Sequence, residues 1–281
     1  MAAGVRVFQI FYNEETRASL DPAFEPLDNS ANERPDWYEY WPIRSYLRRN
    51  ELEDGVYYGF LSPRFSLKTG LSGAQLVEFV RGGADADMVT FSPFPCHGAC
   101  FLNVFEQGDL FHPGLFEIST AFFSGVDSKV RLDTAITHSR NTVFSNFFVA
   151  KRKFWKEWMG VLDRLFAQAE TPGSQLHQRL NTPMDYRFKK GTHMKVFVME
   201  RAVSFLLLAG SYEVRNFPPF QVPLCPELQG RLADVVMLDA LKLAFARTDD
   251  AHYLQLYVQL RDRVVAGTWL AEKPEAAKQR A

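Results

Sequence analysis

The segment Tyr57–Gly70 carries residue types that can bind a phosphate group. An aromatic run suited to a buried strand breaks at Ser62-Pro63, and the turn that follows contains the cations Arg64 and Lys68. Cations and hydroxyl groups beyond the carboxyl end of a strand can hold a phosphate at the edge of a sheet. The alternative is a loop whose cations are only solvated, and the local sequence does not separate the two interpretations.

A candidate general base, Glu200, lies inside the largely apolar helix predicted from Lys195 to Ala209. Apolar surroundings raise the pKa of a carboxyl group, which suits a base that accepts a hydroxyl proton. The alternative is a structural ion pair of Glu200 with Arg201 or Lys195. The second candidates for the base are Glu106 and Asp109, which lie in a predicted polar turn. Two histidines, His112 and His138, are further alternatives.

Asp85 and Asp87 form an Asp-x-Asp pair, which in many glycosyltransferases holds Mn²⁺ or Mg²⁺ against a nucleotide diphosphate. A metal-binding pair of this kind normally follows a buried strand. Here the pair precedes the predicted strand Met88–Phe91, which places it roughly 10 Å away, at the opposite edge of the sheet. Solvated loop carboxylates are therefore the favoured interpretation, and metal ligation is the alternative.

The three cysteines, Cys96, Cys100 and Cys225, are too few for a disulfide framework. Cys96 and Cys100 flank His97, which suggests zinc, but a structural zinc site needs four ligands and no second Cys/His pair lies nearby. Incidental thiols are the favoured interpretation.

The composition is that of an ordinary globular protein, with 281 residues, 47% hydrophobic and 23% charged. The net charge of −1 argues against a global field for nucleic acid or an anionic membrane. Aromatic residues reach 14%, including 25 Phe, and such rings fill cores and line sugar or base clefts. No signal-peptide pattern and no apolar run of about 18–20 residues is present, so we expect a soluble, cytoplasmic protein.

The first third of the chain predicts alternating strands and helices. Strands are expected at Val5–Tyr12, at the Tyr57 segment and at Met88–Phe91. Residues 21–36 are loop-like, and a helix from Asp36 to Arg49 contains Pro42, which can kink or split it. Thr69 or Ser72 caps a second helix that runs to Arg81. This β-α-β-α-β order predicts a parallel sheet with ligands beyond the carboxyl ends of its strands.

The remainder of the chain is predicted to be mainly helical. Its expected elements are helices at 112–126, 154–168, 195–209 and 228–265, an apolar segment at 142–150, a short strand at 212–215 and a frayed tail at 271–281. We therefore predict a catalytic α/β domain over residues 1–225 and a helical appendage over 226–281.

Three segments near the start resemble bacterial surface-polysaccharide glycosyltransferases of the GT-A type. They read Val-Phe-Gln-Ile-Phe-Tyr (7–12), Tyr-Glu-Tyr-Trp-Pro-Ile-Arg (38–44) and Tyr-Tyr-Gly-Phe-Leu-Ser-Pro-Arg-Phe (57–65). Later segments, Ser-Asn-Phe-Phe-Val-Ala-Lys (145–151) and Met-Glu-Arg-Ala (199–202), are similar to two further family motifs. The family's strand motif carries a His and a second Arg that this chain lacks. The resemblance spans residues 5–215 and implies a GT-A-like, mostly parallel sheet flanked by helices.

Such a fold implies a nucleotide-sugar donor and a glycan or lipid-linked glycan acceptor. For donor binding we expect Gln9, Phe11, Tyr12, Arg44, Ser62, Arg64, Lys68, Thr69 and Pro93. For acceptor binding we expect Glu106, His138 and Asn146, with Glu200 as the catalytic base. The C-terminal helices are candidates for contact with the inner face of a membrane or for homodimer formation.

A noncatalytic carbohydrate- or partner-binding protein is the main alternative function, because aromatic surplus alone is compatible with sugar binding. A kinase ranks last, because the chain contains neither Gly-x4-Gly-Lys-Ser/Thr nor Gly-x-Gly-x-x-Gly.

Overall fold

The computed structural model describes residues 4–186, 189–266 and 268. A six-stranded sheet forms its centre, and two further strands pair as an antiparallel hairpin. The central strands are β1 (Val5–Phe11), β2 (Glu25–Asp28), β3 (Tyr57–Leu61), β4 (Met88–Thr90), β5 (Phe148–Ala150) and β8 (Val214–Asn216); the hairpin strands are β6 (Pro183–Tyr186) and β7 (Lys189–His193).

Helices surround the sheet and make up the rest of the regular structure. They are α1 (Glu14–Ala18), α2 (Tyr40–Arg49), α3 (Phe65–Thr69), α4 (Gly73–Arg81), α5 (Pro95–Cys100), α6 (Val104–Phe111), α7 (Leu115–Phe123), α8 (Arg152–Glu170), α9 (His177–Leu180), α10 (Met194–Glu200), α11 (Ala202–Ala209), α12 (Leu232–Thr248) and α13 (Ala251–Val265). Short 3₁₀ turns cover Pro35–Trp37, Pro219–Gln221 and Pro226–Arg231.

The strand order β2-β1-β3-β5-β4-β8 confirms the expected α/β class with a mostly parallel sheet. Within the central sheet, only β5 runs antiparallel to its neighbours, β3 and β4. Two strands of the central sheet, β2 and β5, and both hairpin strands, β6 and β7, were not predicted from the sequence. Strand β2 lies in the region expected to be a loop, and its Pro26 is tolerated because β2 is an edge strand with one hydrogen-bonded neighbour. Strand β5 occupies the end of the apolar 142–150 segment.

Alternating side chains of the strands enter two hydrophobic cores, one on each face of the sheet. Phe8 and Phe60 point to the larger core, which α8 covers with Trp155 and Trp158. Residues of the opposite parity point to the smaller core, which α3 and α4 cover. The indole of Trp155 also donates to the carbonyl of Tyr58 at 3.0 Å, which joins α8 to the sheet. The helices and the sheet therefore form three layers.

Several predicted helix boundaries were wrong. The helix expected from Asp36 begins at Tyr40, after Tyr38 adopts φ = 46°. Pro42 causes no kink, because it lies in the first turn, where a backbone N–H has no helical partner. Ser72, not Thr69, caps α4 and accepts from the backbone of Gln75.

The predicted polar turn containing Glu106 and Asp109 is in fact part of helix α6. The helix expected from His112 begins at Leu115 instead. The helix expected from Lys195 to Ala209 divides into α10 and α11 at Arg201, whose side chain turns inward. Asn103 caps α6, and Asp109 accepts from the backbone of Gly114 and Phe116 at the start of α7.

The C-terminal helices α12 and α13 pack on α5 through a third apolar cluster that includes Val235, Leu238 and Tyr257. The buried ammonium of Lys242 donates to the carbonyl of Phe101 at 2.6 Å, just beyond α5. The expected helical segment 228–265 is thus a pair of helices with a break at Asp249, and the tail at 271–281 lies outside the described residues. Every helix in the described ranges is too short or too polar to cross a membrane.

We predict that Gly108→Ala destabilises the protein by about 1–3 kcal/mol, because a Cβ atom there would overpack the core. It would lie 2.3 Å from Leu115 Cδ2 and 2.5 Å from Arg201 Nε. Arg201 cannot move aside without breaking its hydrogen bonds to Val104 and Phe197. Urea unfolding measures the effect.

Gly160→Ala is the matched control, because no heavy atom lies within 4 Å of a Cβ added at this position of α8. It should stabilise the protein by about 0.5–1 kcal/mol, as expected for Gly→Ala in a helix. Equal effects of the two substitutions would contradict the proposed packing around Arg201.

Candidate functional site at the carboxyl edge of the sheet

The carboxyl ends of β1, β3 and β4 lie at one edge of the sheet, where the antiparallel β5 begins. Tyr12 follows β1, the turn from Ser62 to Arg64 follows β3, and Ser145 and Asn146 come just before Phe147 and β5. The direction of β5 thus brings a loop from the middle of the chain beside the strand ends that the sequence indicated. Ligands of parallel sheets bind at this kind of edge.

Lys68 of α3 is the best-defined cation at this edge. Its ammonium donates to Ser145 Oγ at 2.8 Å and lies over the rings of Phe94 and Phe147, at 5.7 and 5.5 Å. Burial lowers the pKa of Lys68, while the negative charges of Glu200 and Glu39 act in the opposite direction. Lys68 is therefore a partly desolvated cation that faces carboxylates.

Glu200 ends α10 and forms one of the two ion pairs considered from the sequence, a long one with Arg201. Lys195 pairs instead with Asp36 at 2.6 Å. Arg201 Nη1 is 3.9 Å from Glu200, but its guanidinium donates to the carbonyls of Val104 and Phe197. The Glu200 carboxyl thus has only a long contact with Arg201, and the charges of Arg201 and then Lys68 act on it.

The Glu200 side chain is partly exposed, although protein atoms lie around its carboxyl group. Its side chain keeps 41% of its exposure. Protein atoms nevertheless surround the carboxyl closely, so that burial is the main cause of its raised pKa. The positive charges of Arg201 and Lys68 oppose this rise, and the negative charge of Glu39 adds to it.

Glu39 is a member of the site that the sequence did not indicate. It lies immediately before α2, and its charge affects Tyr12, Lys68 and Glu200. Burial, reinforced by Glu39, raises the pKa of the Tyr12 phenol well above its usual range. The available signal was that Glu39 lies between two tyrosines in the 38–44 motif, where a carboxylate is unexpected.

Strained backbone conformations concentrate around these residues. Six non-glycine residues in the described part of the chain have positive φ, and four of them are Tyr38, Phe94, Ser145 and Asn146. Such conformations cost free energy and cluster at functional sites. Asn146 adds a second unusual feature, because its Oδ1 is buried with no hydrogen-bond partner and its Nδ2 lies 3.5 Å from Met199 Sδ.

We refer to Tyr12, Glu39, Arg64, Lys68, Ser145, Asn146 and Glu200 as the edge cluster. Arg64 is exposed and forms no ion pair with any residue that the structure describes. Its charge nevertheless contributes to lowering the pKa of Lys68. The edge cluster thus combines two cations, two carboxylates, a phenol and an amide at one edge of the sheet.

Several residues expected to bind the donor lie elsewhere. Gln9 is buried within β1 and accepts from the backbone of Asp21 at 2.8 Å, and the Phe11 ring is also buried. The Thr69 hydroxyl donates to the Phe65 carbonyl at 2.8 Å within its own helix. These side chains support the edge and do not line it.

Arg44 and the two remaining donor candidates are placed as follows. Arg44 donates to Asp163 of α8 at 3.0 Å and lies over the Phe166 ring at 4.4 Å, so it joins α2 to α8. Ser62 Oγ accepts from the backbone of Arg64 at 3.3 Å, which stabilises the turn after β3. Pro93 borders a pocket of about 20 Å³, roughly the room of one water molecule.

The expected acceptor residues Glu106 and His138 have structural partners outside the edge cluster. Glu106 accepts from the backbone of Leu102 at 2.6 Å, ahead of α6. The His138 ring accepts from the backbone of Arg140 at 3.2 Å, and burial lowers its pKa to about 4. Of the three acceptor candidates, only Asn146 reaches the edge.

The alternative bases also have structural roles. Asp109 accepts from the backbone N–H groups of Gly114 and Phe116, at 3.0 and 2.9 Å, at the start of α7. The His112 ring stacks on Phe197, with ring centroids 3.5 Å apart. These contacts leave Glu200 as the candidate base with access to the edge.

Asp85 and Asp87 lie at the amino end of β4, opposite the edge cluster. Asp85 pairs with Lys151 at 2.6 Å, and Asp87 accepts from the backbone of Glu213 at 3.0 Å. No group of three or more His, Cys, Asp or Glu side chains within the described ranges is arranged to hold a metal ion. The three cysteines are free thiols, and Cys96 accepts from the backbone of Cys225.

Comparison of the chain with protein-family models, curated proteins and solved structures gives no match. The function is therefore inferred from the residues of the site.

We predict that Glu200→Gln stabilises the protein at pH 7, because a raised folded-state pKa means that the ionised form destabilises the fold. The side chain is 41% exposed, so solvent screening should keep the effect to at most about 0.5 kcal/mol. The favourable contribution of the protonated carboxyl is complete below the ordinary pKa of 4.5 and is lost as pH rises through the raised pKa. The difference between variant and wild type should therefore shrink towards pH 4. Chemical denaturation at both pH values measures it.

Glu78→Gln is the control, because Glu78 is an exposed residue of α4. Its stability should match that of the wild type at both pH values. A Glu200→Gln variant less stable than wild type at pH 7 would show that Glu200 is a structural ion-pair partner.

Proposed function

We propose that this protein is a glycosyltransferase that moves a sugar from a nucleotide-sugar donor to a glycan acceptor. The observation that carries the proposal is that the Lys68 ammonium, held by Ser145 at 2.8 Å, and the Glu200 carboxyl influence each other's pKa at the carboxyl edge of the sheet, where burial acts on both groups. Transfer of a sugar needs both: positive charge for the leaving diphosphate and a base for the attacking hydroxyl. The motif resemblance over residues 5–215 supports the same class.

The leaving group would lie against Lys68 and Arg64. As the bond between the anomeric carbon and the diphosphate oxygen breaks, negative charge develops on that oxygen. A partly desolvated ammonium stabilises such charge more strongly than a fully solvated one. Arg64 supplies a planar guanidinium able to bind two phosphate oxygens at once. A phosphate oxygen would replace Ser145 Oγ as the acceptor of the Lys68 ammonium, and the strands would keep their positions.

The acceptor hydroxyl would lie against Glu200. In an inverting transfer its oxygen forms the new bond to the anomeric carbon while its proton passes to the Glu200 carboxylate. A raised pKa brings the carboxylate closer to the operating pH and makes it a stronger base. Asn146, with its unpartnered amide oxygen, and Glu39 would adjoin the reacting groups.

The cations of the edge cluster take the place that a metal ion has in many nucleotide-sugar sites. Mn²⁺ or Mg²⁺ bound by Asp85 and Asp87 would lie at the opposite edge of the sheet, beyond reach of a diphosphate at Lys68. Charge neutralisation by side chains is consistent with the position of Lys68 and Arg64.

The setting proposed for this activity is the synthesis of bacterial surface polysaccharide. The acceptor would be a glycan or a lipid-linked glycan, and the enzyme would work in the cytoplasm at the inner face of the membrane. This part of the proposal depends on the motif resemblance alone.

Donor binding should depend on Lys68 and Arg64. We expect calorimetric titration with uridine, guanosine and thymidine nucleotide sugars to detect binding by at least one donor. The double substitution Lys68→Ala and Arg64→Ala should weaken it by about 100-fold or more, because two charge-assisted contacts are lost.

Lys129→Ala is the matched control, since Lys129 is an exposed lysine outside the edge cluster, and it should bind like wild type. Absence of binding by every donor in the panel would refute the proposed function. Loss of binding with EDTA and recovery with Mn²⁺ would show instead that a metal, and not Lys68 and Arg64, balances the diphosphate.

Turnover should depend on Glu200. Replacement by Gln should reduce kcat by about 10²–10⁴-fold and leave donor affinity within about threefold of wild type. The wild-type rate should rise with pH through the raised pKa of Glu200, and the variant should lose this dependence. Steady-state kinetics from pH 4.5 to 8 test both statements.

A Glu200→Gln variant that keeps full activity in a glycan-dependent assay would favour the alternative function, a noncatalytic carbohydrate-binding protein. Glu78→Gln again serves as control, because it removes a carboxylate of the same type from the surface of α4.

A further inference from the structure

A cavity of about 310 Å³ lies between the carboxyl end of β2 and helix α2. We call it the Asn29 cavity. The residues that line it include Asp28, Asn29, Glu33, Ser45 and Arg49. Its volume is at the lower end of the range of small-molecule sites. No residue of the edge cluster lines it.

Asn29 is the residue that marks this cavity as a binding site. It keeps only 8% of its exposure, yet its amide forms no hydrogen bond with any described part of the chain. Its backbone is fixed, because its N–H donates to the carbonyl of Phe11 at 2.9 Å. The amide atoms retain contact with solvent, so a ligand with hydrogen-bonding groups can replace water there without displacing a protein partner.

The other polar side chains of the cavity wall provide hydrogen-bond acceptors and one cation. Asp28 Oδ1 accepts from the backbone of Ser30 at 2.8 Å, and this bond lowers the pKa of Asp28, which keeps the carboxylate ionised. Glu33 adds a second carboxylate, held by the Trp41 indole N–H at 3.1 Å. Arg49 is exposed and forms no ion pair with a described residue.

The cavity has little provision for stacking a flat aromatic ligand. Two aromatic residues, Trp41 and Tyr46, line its wall. Arg34 and Arg44 lie 5.6 Å from the Trp41 ring centroid and Phe166 stacks on it at 6.2 Å, while the Tyr46 ring packs on Phe8 and Phe60 at 4.5 and 5.2 Å. Both rings are thus already packed against protein groups. Recognition in the cavity therefore depends on hydrogen bonds.

We propose that the Asn29 cavity binds a sugar ring through its vicinal hydroxyl groups. One hydroxyl would donate to the Asp28 carboxylate, and its neighbour would donate to and accept from the Asn29 amide. Arg49 would donate to a ring or hydroxyl oxygen. Neighbouring hydroxyls match this array, because each can donate and accept, whereas a phosphate would be repelled by Asp28 and Glu33.

Two sources can present such a ring. Strand β2 lies two positions from β3, so the cavity is roughly 10 Å from the edge cluster along the sheet. The ribose of a nucleotide whose phosphates reach Lys68 could span that distance. A pyranose unit of a glycan could also occupy the cavity independently of the proposed transfer. The inference itself does not depend on the proposed function.

Saturation-transfer NMR with uridine, guanosine and a series of methyl pyranosides and oligosaccharides tests the proposal on the full chain. We expect at least one ligand to bind, and Asn29→Leu to weaken that binding by about tenfold or more. The side chains are similar in size and the amide has no protein partner to lose, so this variant should keep its fold, which thermal unfolding checks.

Ser45→Leu provides a second, independent obstruction from the α2 wall and should have the same effect. The double variant Lys68→Ala and Arg64→Ala should keep full binding of the free sugar ring. Failure of the donor titration together with retained ring binding would therefore reject the proposed transferase and not the cavity.

Binding of nucleosides alone would identify the ring as ribose, and binding of pyranosides or oligosaccharides would identify a glycan subsite; both support the proposal. Absence of binding by every probe would overturn it. Binding that survives both Asn29→Leu and Ser45→Leu would overturn it as well.

Discussion

The buried guanidinium of Arg201 is the interaction on which the candidate site depends. It donates to the carbonyls of Val104 and Phe197 and to the side chain of Gln107, at 3.0, 2.7 and 3.1 Å. These bonds join α6 to the junction of α10 and α11 and explain why the predicted single helix divides there. Because the guanidinium is engaged with these carbonyls, Glu200 is not drawn into a close ion pair.

The consequence is that the Glu200 carboxyl and the Lys68 ammonium are both partly desolvated. Burial acts against the charged form of each, and their mutual attraction only partly offsets it. A structure selected for stability alone would bury apolar groups there or pair the charges closely. The strained residues Phe94, Ser145 and Asn146 beside them add a further cost. Desolvated charges and strained backbone both lower the free energy of unfolding here, which is typical of a site that must bind or react.

The sheet places two polar sites along one side of the molecule. The edge cluster is charged, gathered by the ends of β3, β4 and β5. The Asn29 cavity is lined by an amide and carboxylates beyond β2. The two sites differ in chemistry: the edge cluster contains cations together with carboxylates, whereas the cavity wall contains an amide, two carboxylates and one cation.

Local pattern was sufficient to predict the strands β1, β3 and β4 and the C-terminal helices, and it narrowed the cap of α4 to Thr69 or Ser72. It also indicated Tyr12, Lys68, Asn146 and Glu200. Runs of aromatic and β-branched residues, a Ser with a Gln three positions later, and a carboxylate in an apolar helix are signals carried by neighbouring residues.

The partners of those residues were decided only by the tertiary structure. Sequence could not show that Arg44 is held by Asp163, that Gln9 supports a loop at Asp21, or that Glu39 joins the edge cluster. Nor could it show that β5 inserts antiparallel and brings Ser145 to Lys68. Residue type and spacing determine which chemistry is available and on which element, because those signals are local. Which groups meet, and which of them lose water, depends on packing between segments as far apart in the chain as Lys68 and Ser145.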